Sequence, residues 1–212
     1  MKEQILFPVG RLVMGSLYAS ENKGFGGVEV KPYFWFNVAI EKQNEQHWNE
    51  TEWGKLIYNV GAKSFPKGQY NNDQFAWKLT DGDSTNVNME GNKPCDHEGY
   101  AGHWVLKFKS HFAPVLLNAQ GAPLTLPEGA INCGDYIQVL GTVVDNGSDL
   151  KPGVHLNFSH VAHIGYGERI SSSKIDLKTI GFGQGPMPAG LSKTPKSSNT
   201  LSAEQLKEYG LV

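Results

Sequence analysis

The chain has 212 residues, a formal net charge of −2, 25 glycines and two cysteines, and 11% of its residues are aromatic. This length fits one domain of ordinary size with extensions. The near-neutral charge disfavours a duplex-DNA binder that relies on phosphate contacts alone, because such proteins are normally strongly basic. The first residues show no apolar h-region, and no apolar run approaches the roughly 18 residues of a membrane helix, so we expect a cytoplasmic chain with reduced thiols and no signal peptide.

Short apolar runs separated by glycine, proline and asparagine predict a mostly β fold. The first run, residues 4–18, has the pattern of a strand. We expect it to bend or to lie at an edge at Pro8, because proline has no backbone N–H to donate. Arg11 interrupts this otherwise apolar run and is a candidate phosphate contact.

The second run, residues 31–42, alternates with period two and predicts a half-buried strand. Its apolar face points to a core. The other face offers Tyr33 and Trp35, flanked by Lys31 and Lys42. Aromatic rings beside lysines on an open sheet face are suited to stacking unpaired bases. A strand buried on both faces, between two sheets, is the alternative that this stretch leaves open. The predicted core side chains are Phe34, Phe36, Val38 and Ile40.

A change to helical spacing follows the second strand. Trp53, Leu56, Ile57 and Val60 recur at the spacing of one helix face, which predicts an amphipathic helix over roughly 50–62. A single helix inserted among strands is typical of an OB-fold barrel.

Further strands are predicted at 74–80, 103–112, 134–144 and 154–167. Residues 81–102 form a polar segment far longer than a hairpin needs, and long loops of this kind are often functional. Lys107 and Lys109 share one face of their strand, and Lys78 lies beside Trp77. These lysines are candidates for a phosphate path.

The closing segment, GDYIQVLGTVVDNGSDLKPGVHLNFSHVAHIGYGERI at 134–170, resembles phage single-stranded DNA-binding proteins of the T7-like type. FAWKLTDGDS at 75–84 and KPCDHEGYAGHWVLKF at 93–108 are also similar to that group. The resemblance covers most of residues 5–170 and consists of strand patterns and turn glycines. It implies an OB fold and sequence-independent binding of single-stranded DNA in phage replication and recombination, with no catalysis and no cofactor, in the cytoplasm of the infected host.

From these observations we expect an OB-fold domain at 1–170 and a flexible linker and tail at 171–212, because the tail is rich in Ser, Gly, Pro and Lys. The tail ends in a short segment with helix signals and the apolar residues Leu206, Tyr209 and Leu211. We predict that this segment contacts phage replication proteins or, as an alternative, docks in the chain's own DNA-binding site. Homo-oligomerisation is left open. The predicted DNA-binding residues are Arg11, Lys31, Tyr33, Trp35, Lys78, Lys107 and Lys109, with Trp77 and Tyr100 as further stacking candidates.

Two other functional classes remain as alternatives. A structural β-barrel or sandwich would place the same aromatics in its core. A metal-dependent nuclease would use acidic loop residues, but their spacing matches no known metal motif. Cys95, His97, His103 and His111 do not have the spacing of a zinc site, so no metal is expected. The loop acids in question are Asp73, Asp81, Asp83, Asp96 and Glu98.

Overall fold

The computed structural model describes residues 2–87, 91–124 and 130–170. Eight β-strands and one α-helix make up the regular structure of this part of the chain. The strands are β1 (Lys2–Leu6), β2 (Gly10–Lys23), β3 (Glu29–Glu41), β4 (Leu79–Asp81), β5 (His103–Ser110), β6 (Val115–Leu117), β7 (Tyr136–Asp145) and β8 (Val154–Gly165), and the helix is α1 (Glu52–Ser64).

Five strands close into a barrel in the order β2-β3-β5-β8-β7. Four of the pairings are antiparallel, and the β5–β8 pairing is parallel, at Phe108 and Leu156. β7 closes the barrel onto β2 at Gly10 and Ile137. Closure removes the exposed edges that an open sheet would leave along these strands. The predicted mostly β OB-fold barrel with one inserted helix is confirmed.

The barrel interior is filled by the apolar face of β3 and its neighbours. Phe36, Val38 and Ile40 are buried, as their alternation predicts, and Phe36 packs on Phe108 with ring centroids 5.5 Å apart. Burial of each such side chain contributes about 1.5–3 kcal/mol. The opposite face of β3 is buried only at its C-terminal half, where Ala39 joins a second apolar cluster outside the barrel.

Helix α1 begins two residues later than predicted, because residues 48–50 form a short 3-10 turn ahead of it. The Thr51 hydroxyl caps the helix by accepting the Gly54 N–H at 2.9 Å. A Cβ at Gly54 would lie 1.9 Å from the Trp48 carbonyl oxygen, so only glycine allows the helix to follow this turn so closely. Trp53, Ile57 and Val60 complete the barrel core from the helix side.

Two predicted strands differ from the structure. Residues 4–18 form two strands, β1 and β2, which separate around Pro8 while Phe7 stays in the core. The predicted strand at 74–80 is wrong over most of its length. Ala76 makes one isolated bridge to Gly153, and Lys78 has a φ of 59°, in the left-handed region, which no β-strand adopts. Only residues 79–81 pair with β5.

Candidate functional site

A depression of about 540 Å³ crosses the outer surface of β3, β5 and β8. We call it the groove. It contains two aromatic rings from β3, three lysines, one histidine and one carboxylate. The residues that line it are Glu21, Tyr33, Trp35, Asn37, Lys78, Lys107, Phe108, Lys109, His155 and Leu156.

The register between β3 and β5 places the aromatics and lysines together. Trp35 is paired with Lys109, and Asn37 is paired with Lys107. Paired residues of antiparallel strands project from the same sheet face. The period-two pattern of both strands therefore produces one surface on which an indole ring lies beside an ammonium group.

Lys78 reaches the groove through an unusual backbone conformation. Its φ of 59° is rare for a residue with a side chain and costs on the order of 1–3 kcal/mol. The Lys78 carbonyl accepts the Lys107 N–H at 2.9 Å, which holds this turn against β5. The side chain of Trp77 is directed toward α1 instead. The turn therefore directs Lys78 and Trp77 to different surfaces, although both were predicted from the sequence to contact DNA.

The cationic side chains of the groove repel one another. Partial burial and the nearby Lys78 lower the pKa values of both Lys107 and Lys109, and Glu21 partly opposes this at Lys109. Burial, followed by Lys78 and Lys109, also lowers the pKa of His155. A concave surface with this excess of positive charge attracts anions.

Four predicted residues do not line the groove: Trp77, Tyr100, Arg11 and Lys31. Trp77 stacks on Tyr58 at a centroid distance of 5.5 Å and an interplanar angle of 15°. A Cβ at Gly61 would lie 2.6 Å from the Trp77 ring, so the helix is shaped to receive that indole. Tyr100 is only 5% exposed, and its hydroxyl accepts the Asn37 Nδ2–H at 3.0 Å.

Arg11 is the third of these residues. Its guanidinium donates to the carbonyls of Gly134 and Glu168, at 3.1 and 2.5 Å, and joins distant parts of the chain. Lys31 is exposed near the start of β3 and does not line the groove. The predicted tail contacts Leu206, Tyr209 and Leu211 lie outside the described residues.

Sequence analysis did not identify Glu21, Asn37 or His155 as groove residues. Asn37 had a detectable signal, since it is the one polar side chain on the open face of β3 between Trp35 and Ala39. No sequence pattern indicated the other two residues. His155 reaches the groove through the β5–β8 contact, and Glu21 reaches it through an irregular β2–β3 register between Ser16 and Glu21.

The loop acids proposed for a nuclease metal site have a different partner. The Lys42 ammonium donates to Asp81 at 2.5 Å and to Asp83 at 2.7 Å. Within the described ranges, no three His, Cys, Asp or Glu side chains are grouped so that they could hold a metal ion. No helix in the same ranges is long and apolar enough to cross a membrane.

Comparisons with known proteins find similar structures but no similar sequence. No protein-family model and no curated protein matches the sequence. The structure is similar to the single-stranded DNA-binding protein from bacteriophage Enc34. The C-terminally truncated form has a TM-score of 0.54 and 15% identity over 79% of this chain and 88% of that one. The complex with single-stranded DNA has a TM-score of 0.54 and 16% identity over 79% and 89%.

A further similarity is to gp2.5, a single-stranded DNA-binding protein encoded by bacteriophage T7, with a TM-score of 0.49 and 14% identity over 82% of this chain and 97% of that one. The resemblance to phage single-stranded DNA-binding proteins, predicted from turn glycines and strand patterns, is confirmed at the level of structure. At 15% and 16% identity, the likeness to the Enc34 protein shows a shared fold.

Proposed function

We propose that this chain binds single-stranded DNA without sequence preference, and that it does so in phage DNA replication and recombination. The observation that carries the proposal is the pairing of Trp35 with Lys109 on one open face, with Lys78 and Lys107 beside them. The Enc34 protein, whose fold is similar, has been solved with single-stranded DNA bound.

The composition of the groove favours an unpaired strand over other anions. Stacking of a base on an aromatic ring contributes about 1–3 kcal/mol and tolerates any sequence, because every base has a π-face. In a duplex those faces are covered by neighbouring bases. Lys78, Lys107 and Lys109 supply the charges that the phosphate backbone requires. A strand of phosphates and open bases therefore matches both kinds of side chain in the groove.

The two alternatives explain fewer of these features. A purely structural barrel gains nothing from a Lys78 placed close enough to add to the lowering, by burial, of the pKa values of Lys107 and Lys109. A nuclease needs acids free to hold a metal ion, whereas Asp81 and Asp83 bind Lys42. We also retain, as part of the proposal, a tail whose Leu206, Tyr209 and Leu211 contact replication proteins.

A titration with fluorescein-labelled oligo(dT) tests the function. Fluorescence anisotropy should rise with protein concentration, with an affinity that weakens as salt increases. A duplex of equal length should compete poorly, and the oligonucleotide should stay intact in Mg²⁺ when it is analysed on a denaturing gel. No anisotropy change at low salt would reject single-stranded DNA binding, and cleavage in Mg²⁺ would favour the nuclease.

A further inference from the structure

One of the two aromatic rings that β3 contributes to the groove already has a cationic partner. Lys109 Nζ lies 3.4 Å from the centroid of the Tyr33 ring, well inside the roughly 6 Å range of a cation–π contact. The other such contact in the described part of the chain joins Lys42 to Trp104, away from the groove. Trp35 and Tyr33 are therefore not equivalent, although both come from the same face of β3.

The position of Tyr33 is fixed from its far end. Its hydroxyl donates to the Lys23 carbonyl at 2.8 Å, and Glu21 Oε2 lies 3.4 Å from the same hydroxyl. These groups belong to β2, so the ring of Tyr33 is held against the strand that pairs with its own. A lysine side chain has a flexible four-carbon stem and does not hold one position without such a support.

We propose that Tyr33 is a positioning residue, which holds the Lys109 ammonium in the groove for a DNA phosphate, while Trp35 is the ring on which bases stack. This inference rests on the proposed function. A base on the covered face of Tyr33 would have to displace the Lys109 ammonium. A phosphate needs no such displacement, because an ammonium group has three donors and only one side of it faces the ring.

A double-mutant cycle separates the two roles of Tyr33. The variants are Tyr33→Leu, Lys109→Met and the double variant, with Tyr33→Phe as a matched control that keeps the ring and removes the hydroxyl. For each protein, oligo(dT) affinity is measured at several salt concentrations. The salt slope, the change in log affinity with log salt, is about −0.7 for each phosphate contacted in a single strand.

If Tyr33 positions Lys109, Tyr33→Leu and Lys109→Met should each make the slope shallower by about 0.7. The double variant should bind no more than about twofold more weakly than Lys109→Met alone, since coupled residues are not additive. Tyr33→Phe keeps the ring but loses its bond to Lys23, so its slope should change less than that of Tyr33→Leu. An unchanged slope in Tyr33→Leu, or losses that multiply in the double variant, would overturn the inference and assign Tyr33 to base stacking.

A measurement without DNA checks the contact itself. In the NMR spectrum of the free protein, the ring current of Tyr33 should shift the Lys109 ε-CH₂ protons upfield, and the shift should disappear in Tyr33→Leu but persist in Tyr33→Phe. Identical Lys109 shifts in all three proteins would overturn the inference. If the unmodified chain does not bind oligo(dT), the proposed function fails and the inference fails with it, whereas an unchanged salt slope removes the inference alone.

Discussion

The backbone N–H of Lys107 donates to the Lys78 carbonyl at 2.9 Å, and this bond joins two cationic residues at the groove. Burial and then Lys78 lower the pKa of Lys107. The fold therefore keeps like charges close together. Arrangements of this kind favour binding of a polyanion, because the phosphates relieve the repulsion between the lysines.

Lys107→Gln should make the salt slope for oligo(dT) binding shallower by about 0.7, the value expected for one phosphate contact in a single strand. Lys55→Gln is the matched control, because Lys55 is on α1 and pairs with Glu52 at 2.7 Å. Affinity measured by anisotropy at four or more salt concentrations gives both slopes. Equal slopes for the two variants would show that Lys107 does not contact the strand.

DNA affinity should rise as the pH falls from about 8 to about 5.5. The pKa of His155 is lowered in the free protein, first by burial and then by Lys78 and Lys109, so the imidazole is mainly neutral at pH 7. Phosphates beside it would raise that pKa, so binding takes up a proton and is strengthened at lower pH.

His155→Gln should remove most of this pH dependence, while His160→Gln, a change on the same strand but outside the groove, should retain it. Affinities of the three proteins should converge at pH 8. A pH profile for His155→Gln identical to that of the unmodified chain would contradict the assignment of His155 to the DNA path.

Removing the acidic group from the groove should strengthen DNA binding. Glu21 is the one carboxylate among the groove residues in the described part of the chain, and it interacts electrostatically with Lys109. We expect Glu21→Gln to raise affinity at low salt by a few tenths to about 1 kcal/mol, the range of exposed charge pairs. Glu29→Gln, an exposed change outside the groove, should have a smaller effect, and the opposite order would contradict the prediction.

The polar loop after β4 should depend on Asp83 for stability. Asp83 accepts from the Lys42 ammonium at 2.7 Å and from the Gly102 N–H at 2.7 Å, and these bonds lower its pKa, the lysine bond most. A carboxyl group whose pKa is lower in the folded state stabilises the fold at pH values above its unfolded-state pKa of about 3.9. This stabilisation is lost as the pH falls through the folded-state pKa.

Asp83→Asn should therefore lower the free energy of unfolding at pH 7 by about 1 kcal/mol, which allows for the half-exposed side chain. The difference from the unmodified chain should begin to shrink as the pH falls below the unfolded value of about 3.9, and it should disappear once the folded-state carboxyl is also protonated. Asp73→Asn, on an exposed turn, is the control. Urea unfolding at both pH values checks this, and a loss that persists undiminished in acid would contradict the charge-based explanation.

Strand periodicity predicted which side chains of 31–42 and of 103–112 share a face. It could not predict that Trp35 and Lys109 would lie on the same surface, because that depends on the register of the pairing, which the structure supplies. The alternation of 31–42 also predicted the core side chains Phe36, Val38 and Ile40, which are buried.

Residues whose position depends on loops or on long-range contacts could not be placed in this way. Trp77 follows α1 rather than the groove because of the left-handed turn at Lys78, which nothing in the local sequence requires. Tyr100 is carried under β3 by a loop, and Arg11 bonds to carbonyls more than 120 residues away along the chain. Such long-range contacts depend on the closed barrel and are not encoded in short patterns.

The central claim is that bases stack on Trp35, and intrinsic fluorescence tests it most directly. Of the five tryptophans, only Trp35 lines the groove in the part of the chain that the structure describes. Addition of oligo(dT) should quench the fluorescence of the unmodified chain, and Trp35→Phe should lose that quenching while it retains much of the affinity, because phenylalanine can also stack. Trp77→Phe should be quenched like the unmodified chain. Quenching that persists in Trp35→Phe and disappears in Trp77→Phe would contradict the account and place the DNA beside α1.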